Sequence, residues 1–340
     1  MGVGISDIIV SEEISLDDLE DRVIAVDAYN IIYQFLSSIR QRDGTPLKDS
    51  EGRVTSHLSG LLYRNANLIE NGIKLVYVFD GKPDIMKEGT LEKRKERKKK
   101  AKKEYEKALE KGDLETARTK AQQTSRMDAE IEGSSKELLT LLGIPWIQAP
   151  AEGESQAAYM VKNDDVWGVG SQDYDSLLLG APRLIKNLTI TGRRKLPGRN
   201  EYKEIAPELI ILEDALEELE ISREQLIDIG ILCGTDYNEG VKGIGPKRGL
   251  KYIKKYGDLE SVLEEKDKRI NNYEKVKELF LNPKITEDYK IEFKKMDVDG
   301  VKEFLCEKHE FSESRVQSAL DKIKEGRDKE KQTSLSAFSD

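Results

Sequence analysis

Four short runs rich in β-branched and aromatic residues are each followed by a helical pattern: RVIAVDAYN (22–30), IKLVYVFDG (73–81), GIPWIQAP (143–150) and VWGVGSQDYD (166–175). No other feature narrows the fold as much, because strands that alternate with helices fold as a mostly parallel sheet of α/β type, the helix supplying each crossover. Each run also ends in or beside acidic residues. In open parallel sheets functional groups gather outside the carboxyl ends of the strands. Asp27, Asp80, the pair Glu152 and Glu154, and the pair Asp173 and Asp175 are therefore expected to face one crevice.

Taken singly, each carboxylate has an ordinary reading. Asp is common where a strand stops, and acids near a helix N-terminus complement its dipole. Period two puts Asp173 and Asp175 on one side of an extended chain. The same spacing inside a regular helix would point Glu152 and Glu154 apart, so Glu152 is expected just before the helix that SQAAYMVK begins. Taken together, acids confined without cations raise one another's pKa and cost stability. A multi-carboxylate site with no His suits hard cations such as Mg²⁺ or Mn²⁺. Two such ions about 4 Å apart are the usual machinery for in-line displacement at a phosphodiester.

At 340 residues, 37% hydrophobic and 36% charged, the chain can bury a sizeable core in one elaborated domain or two. No stretch approaches the roughly 20 apolar residues of a membrane span. The start MGVGISDIIVSEEIS lacks a basic segment followed by an apolar run, so export is not expected. MGVGIS fits the loose pattern for myristoylation at Gly2, but nothing nearby supplies a second membrane signal, and the match reads as coincidence. Cys233 and Cys306 lie far apart without metal-ligand spacing, which fits a reducing compartment.

The net charge of −9 alone argues against a nucleic-acid partner; its distribution reverses that conclusion. Between Lys87 and Arg126, 15 basic residues face 8 acidic ones, peaking at KRKERKKKAKK (93–103), where nine of eleven side chains are cationic. Such a segment gathers and orients a polyanion, unless it is only a solvated helix or a disordered basic run. From about 86 to 127 the chain reads as a basic helical excursion standing over the crevice mouth. GIGPK (243–247) opens a basic helix: its glycines admit a phosphate, Pro246 suits the first helical position, and Lys247 and Arg248 add charge. A plain turn with a proline at its helix start is the alternative. GRDKEKQTSLSAFSD at the end has tail composition, and no internal repeat is evident.

VDAYNIIYQFL, VFDGKPDIMKEG, QAPAEGESQAA, VGSQDYDSLLLG and LCGTDYNEGVKGIGPKRG, in that order, closely resemble the structure-specific 5′ nucleases, in particular flap endonucleases of the archaeal size class. The resemblance implies a mixed, mostly parallel central sheet flanked by helices, a PIN-like α/β fold. It implies a helical arch (about 84–127) over the active site and a helix, two turns, helix module (about 223–263) that grips duplex DNA. One nuclease domain would span 1–325, with an N-terminal region to about 100, an internal region from about 118 to 260, and a flexible tail from 326. The implied metal ligands are Asp27, Asp80, Glu152, Glu154, Asp173, Asp175 and Asp236, the last from the GTDY match, holding two Mg²⁺ or Mn²⁺ ions. Lys87 and Arg94 resemble the pair that contacts the scissile phosphate. Tyr33 resembles an aromatic that stacks on a base, a buried core position being the alternative.

By the same resemblance Gly2 lies near the active site, and Arg40, Thr55 and Arg64 form a pocket for a one-nucleotide 3′ flap. Lys93, Lys98 and Lys99 line the arch, and Gly243, Gly245, Lys247 and Arg248 hold the duplex, with backbone carbonyls there binding K⁺. QTSLSAF (332–338) resembles a sliding-clamp-binding motif anchored by Gln332, Leu335 and Phe338. Ser339 stands where a second aromatic is usual, so weaker clamp binding is expected. The implied protein is a monomeric, cytoplasmic archaeal enzyme with no membrane partner. It would cut 5′ flaps in replication and base-excision repair, with 5′→3′ exonuclease activity. A related exonuclease or bubble-cutting enzyme, a non-catalytic clamp partner that binds branched DNA, and a two-metal phosphatase are the rival readings. The basic arch and GIGPK weigh against the last.

Overall fold

The computed structural model describes the chain apart from residues 1, 83–84, 111–112, 114–115, 117–118, 121–126, 191–192, 196–201 and 338–340; side chains are also left out at 85, 88–95, 97, 109–110, 193–195, 202–204 and 330–337. In chain order the strands are β1 (Glu12–Glu13), β2 (Val23–Asp27), β3 (Lys74–Phe79), β4 (Trp146–Gln148), β5 (Gly168–Gly170), β6 (Arg183–Lys186), β7 (Arg193–Lys195), β8 (Tyr202–Glu204) and β9 (Glu208–Ile211). Seven of them form one sheet in the order β1-β9-β6-β5-β2-β3-β4, while β7 and β8 pair separately. From β4 through β6 every pairing is parallel, and β9 runs antiparallel to both β6 and β1. The sheet is thus mixed and mostly parallel. The four runs singled out in the sequence supply β2, β3, β4 and β5.

Alternation along the central strands builds two cores. Ile24, Val26, Tyr77 and Phe79 face the helices Ala28–Ser38, Ser56–Glu70, Ala129–Leu141 and Glu313–Ala337. Ala25, Val76 and Val78 face Gly153–Lys162 and Arg223–Cys233, with the helices beyond them. Because both faces are covered, the strands read as near-continuous apolar runs. The carboxyl ends of β2, β3, β4 and β5 share one edge of the sheet, and the acidic residues follow there.

The basic excursion is helical over Glu88–Glu110, where Ala101 and Ala108 are buried. Helices Arg223–Cys233 and Pro246–Tyr256 pack together across the turn-rich stretch between them. The expected tail from 326 needs correction, since the backbone is helical from Glu313 to Ala337. Its composition is charged but dominated by good helix formers, and it has partners on the fold. Lys322 pairs with Glu70 at 2.6 Å, and the Arg327 guanidinium donates to the Leu142 carbonyl at 2.9 Å. At Gly326 an added Cβ would fall 2.0 Å from the Ile69 carbonyl oxygen, so the two helices cross in close contact there. No described helix is long and apolar enough to cross a membrane.

Candidate active site

Asp27 ends β2 and caps the Ala28–Ser38 helix, its carboxylate accepting from the Asn30 amide N–H at 3.0 Å. Asp80 follows β3 directly and accepts from the Gly153 N–H at 2.6 Å. That contact orients Asp80 and ties it to the start of the Gly153–Lys162 helix. Glu152 is the residue before this helix, and Glu154 in its first turn accepts from the Ser171 hydroxyl at 2.9 Å. Beyond β5 the chain does not stay extended. Residues 172–174 bend, and Asp175 opens the short helix Asp175–Leu178. The pleat therefore does not align Asp173 and Asp175; the amino-terminal strand of chain does. The Gly2 N–H donates to Asp173 at 3.0 Å and the Val3 N–H to Asp175 at 2.6 Å. A Cβ on Gly2 would come within 2.7 Å of Asp173 and 2.8 Å of Asp175, so only glycine lets the chain lie so close.

Asp236 arrives from the other side, on a turn after the Arg223–Cys233 helix. Thr235 accepts from the Tyr237 N–H at 3.0 Å and donates to Asn238 at 2.8 Å, fixing that turn. Lys87 lies between the two sides. Its ammonium pairs with Glu152, stands 3.8 Å from Asp236, and sits over the Tyr237 ring at 5.0 Å.

The electrostatics show that the acids share one field. Burial first, then Asp80 and Asp173, raise Asp27 well above the usual carboxylate range. Burial, Asp175, Asp27 and Asp173 do the same to Glu154. Asp80 is pushed up to about 6, by burial and then by Glu152. Asp175 also rises to about 6 through burial, with the Val3 amide opposing and Asp173 and Asp236 adding to the shift. Burial alone would lower Lys87, but Tyr237, Glu152 and Asp236 outweigh it and hold the ammonium charged. All seven predicted carboxylates thus interact at one edge of the sheet.

Convergence is not yet a closed cage. Among the described residues no group of three or more His, Cys, Asp or Glu is drawn together tightly enough to hold an ion. Amide N–H groups, the Asn30 side chain, Ser171 and Lys87 each contact one or more of these oxygens. An all-carboxylate donor set in a buried, self-repelling cluster fits hard divalent cations.

The remaining predicted residues divide by location. Tyr33 is half-buried rather than a core residue; its hydroxyl accepts from the Met127 N–H at 3.3 Å, and the Lys98 ammonium lies over its ring at 4.9 Å. Lys99 is exposed on the same helix. The side chains of Lys93, Arg94, Gln332 and Leu335, and Phe338 altogether, lie outside the described residues. Arg40 donates to the Leu36 and Gly44 carbonyls, both at 2.8 Å, and Thr55 is buried at the start of the helix that carries half-buried Arg64. A cavity of about 410 Å³ opens beside this loop, lined by Val54, Ser134, Lys308 and His309 among others. None of the seven carboxylates lines it.

At the duplex module Gly245 caps the Pro246–Tyr256 helix, with Pro246 at its first position as expected. Gly243 has φ +86, and its carbonyl accepts from Arg248 at 2.8 Å. Nothing lies within 4 Å of a Cβ built on Gly245, so the protein's own packing does not demand glycine there. Sequence reasoning missed Asn30, Ser171 and Tyr237. Neither Asn30 nor Ser171 carried a sequence signal, since the capping contact at Asp27 uses the Asn30 backbone N–H, which any residue supplies.

Residues 1–101 match the family described as the XPG N-terminal domain, and residues 143–236 match the XPG I-region. Over 324 residues the chain is 53% identical to Flap endonuclease 1 of Archaeoglobus fulgidus, covering 95% of this chain and 96% of that protein. Over 339 residues it is 52% identical to Flap endonuclease 1 of Pyrococcus furiosus, covering 99% of each. Among solved structures it is similar to flap endonuclease-1 from Methanococcus jannaschii, with TM-score 0.75 and 42% identity over 95% of this chain and 98% of that one. The catalytic core of Rad2 in complex with DNA substrate matches with TM-score 0.70 and 25% identity, over 95% and 100%. Sheet, acidic crevice and both XPG matches define the class: a DNA-binding nuclease, a hydrolase of phosphodiester bonds. Within that class, the chain belongs to the flap endonuclease 1 family.

Proposed function

We propose that this protein removes 5′ single-stranded flaps from branched duplex DNA by hydrolysing the phosphodiester at the flap's base, and trims 5′ ends at the same site. The observation that carries the reading is the meeting of seven carboxylates at the carboxyl edge of the sheet, each within the field of the next. Asp27, Asp80, Glu152, Glu154, Asp173, Asp175 and Asp236 would hold two Mg²⁺ or Mn²⁺ ions. Bound there, the ions supply an activated water and stabilise the leaving oxygen. The chain's own residues do the rest. Lys87, now paired with Glu152 and beside Asp236, moves its charge to the scissile phosphate together with Arg94. Tyr33 offers its ring to a base once Lys98 leaves it. The arch, through Lys93, Lys98 and Lys99, draws in the single strand.

At the duplex, the open space at Gly245 admits a phosphate to the amides of the helix start, while Lys247 and Arg248 add charge and backbone carbonyls hold K⁺. Recognition is by shape and phosphate, with no sequence reading. Arg40, Thr55 and Arg64 take a one-nucleotide 3′ flap beside the cavity at Val54. Gln332, Leu335 and Phe338 dock on a sliding clamp, weakly because Ser339 replaces an aromatic. The enzyme acts as a cytoplasmic monomer in replication and base-excision repair. Labelled flap, gapped and bubble DNA, incubated with Mg²⁺ and with chelator, test this. Cleavage at the flap base only with Mg²⁺ is expected. Bubble cutting without flap cutting favours the related repair enzyme, and binding without hydrolysis a non-catalytic partner.

A further inference from the structure

We infer that Asn30 is a positioning residue whose side chain holds Asp173 in the orientation the metal-binding crevice needs, an inference that rests on the reading of that crevice given above. Asn30 lies in the first turn of the Ala28–Ser38 helix, and it makes three contacts to the acidic edge. Its backbone N–H donates to an Asp27 oxygen at 3.0 Å. Its side-chain Nδ2 donates to Asp173 Oδ2 at 2.9 Å. Its Oδ1 accepts from the Gln172 N–H at 3.1 Å. One residue thus joins the ends of β2 and β5, neighbouring parallel strands that carry different carboxylates.

The chemistry requires an amide at this position. Asp173 needs a donor and the Gln172 N–H needs an acceptor, on adjacent residues of one bend. A primary amide offers both in one plane. The network also assigns the amide's orientation, since the reverse would set its oxygen against a carboxylate. With the Gly2 N–H on Oδ1 and Asn30 on Oδ2, each oxygen of Asp173 keeps one fixed donor and retains a lone pair for a cation. Residues 172–174 bend without regular ladder bonds of their own. Without Asn30, Asp173 would turn away from Asp27 under their mutual repulsion. Groups that orient metal ligands typically contribute about 10- to 100-fold to metal affinity.

The test is Mn²⁺ titration calorimetry without DNA on the full-length wild type, Asn30→Ala, Asn30→Ser and Asp173→Ala. Serine gives a second removal that keeps the position polar but is too short to reach Asp173. Flap-DNA affinity in chelator and the thermal midpoint in chelator report on folding. Mn²⁺ affinity about ten-fold weaker in both Asn30 variants is expected, with DNA affinity unchanged and flap cleavage recovering as Mg²⁺ is raised. A purely structural role for Asn30 would not be rescued by metal. Unchanged ion binding in the folded Asn30 variants, with loss in Asp173→Ala, overturns the positioning role and leaves the metal site standing. Unchanged binding in all three variants overturns the site and the inference with it.

Discussion

In the function proposed above, the acidic crevice and the start of the Pro246–Tyr256 helix meet the same polyanion with opposite electrostatics. In the crevice, the titratable groups are buried, mostly acidic around the single Lys87 ammonium, and internally restrained: Asp27 and Asp175 are almost fully buried, and burial and then their acidic neighbours favour their protonation. At the helix start Lys247 and Arg248 are exposed and the glycines leave open space. Catalysis at a phosphodiester needs oxygens fixed to fractions of an ångström, so the crevice accepts repulsion in exchange for geometry. Gripping any duplex needs only a backbone edge and solvated cations, which cost little to maintain. Stability and activity should therefore be opposed at the first region and nearly independent at the second.

The comparison breaks most readily at Asp173. Replacement by Ala should lower Mg²⁺-dependent flap cleavage by at least about a thousandfold, while flap-DNA binding in chelator stays the same and the metal-free thermal midpoint does not fall. Full activity in this variant would remove the site assignment. Next in size, neutralising Lys98, Lys99 and Lys100 together should weaken flap binding and reduce its log–log salt slope by about 2, near 0.7 per strand phosphate released. An unchanged slope would show that the basic helix is merely solvated.

Gly245→Ala sharpens the contrast because φ there is −98 and the space is open. The thermal midpoint should hold while duplex affinity drops about three- to ten-fold, about 0.7 to 1.4 kcal/mol. A loss of stability instead would assign Gly245 to the fold. The smallest effect is on pH dependence without metal. Asp80 and Asp175 stand near 6 in the folded protein against an ordinary 3.8, so their contribution is fully present below about pH 4 and is lost as pH rises through 6. Asp49, held near 2 by Arg53 and His309 against the opposing effect of burial, has the reverse sign, its contribution fading only as pH falls from 3.8 toward 2. In chelator the thermal midpoint should drop by a few degrees between pH 4 and 7, and Mg²⁺ should restore it. A flat profile would mean that burial and neighbouring acids do not raise these carboxyls.

Much of this was legible in the linear order. The apolar runs that became β2, β3, β4 and β5, the acids at their ends, and the Pro246 helix start all follow from local periodicity and turn chemistry, which act over a few residues. The antiparallel edge was not, because β1 is two glutamates and β9 four residues, too short to carry a period. The docking of the last helix at residues 326–327 also escaped, since Gly326 and Arg327 gain their meaning only from Ile69 and Leu142.

The sequence alone marked the acids at the strand ends and the basic segment between the strands, while Asp236 and Lys87 came from resemblance to the 5′ nucleases. Their arrangement was decided only by the tertiary structure. The bend after β5, the laying of Gly2 and Val3 across Asp173 and Asp175, and the placing of Lys87 between Glu152 and Asp236 depend on contacts between segments as much as 172 residues apart. Local propensity cannot encode such pairings, because each is favourable only once the sheet has brought both partners to the same edge.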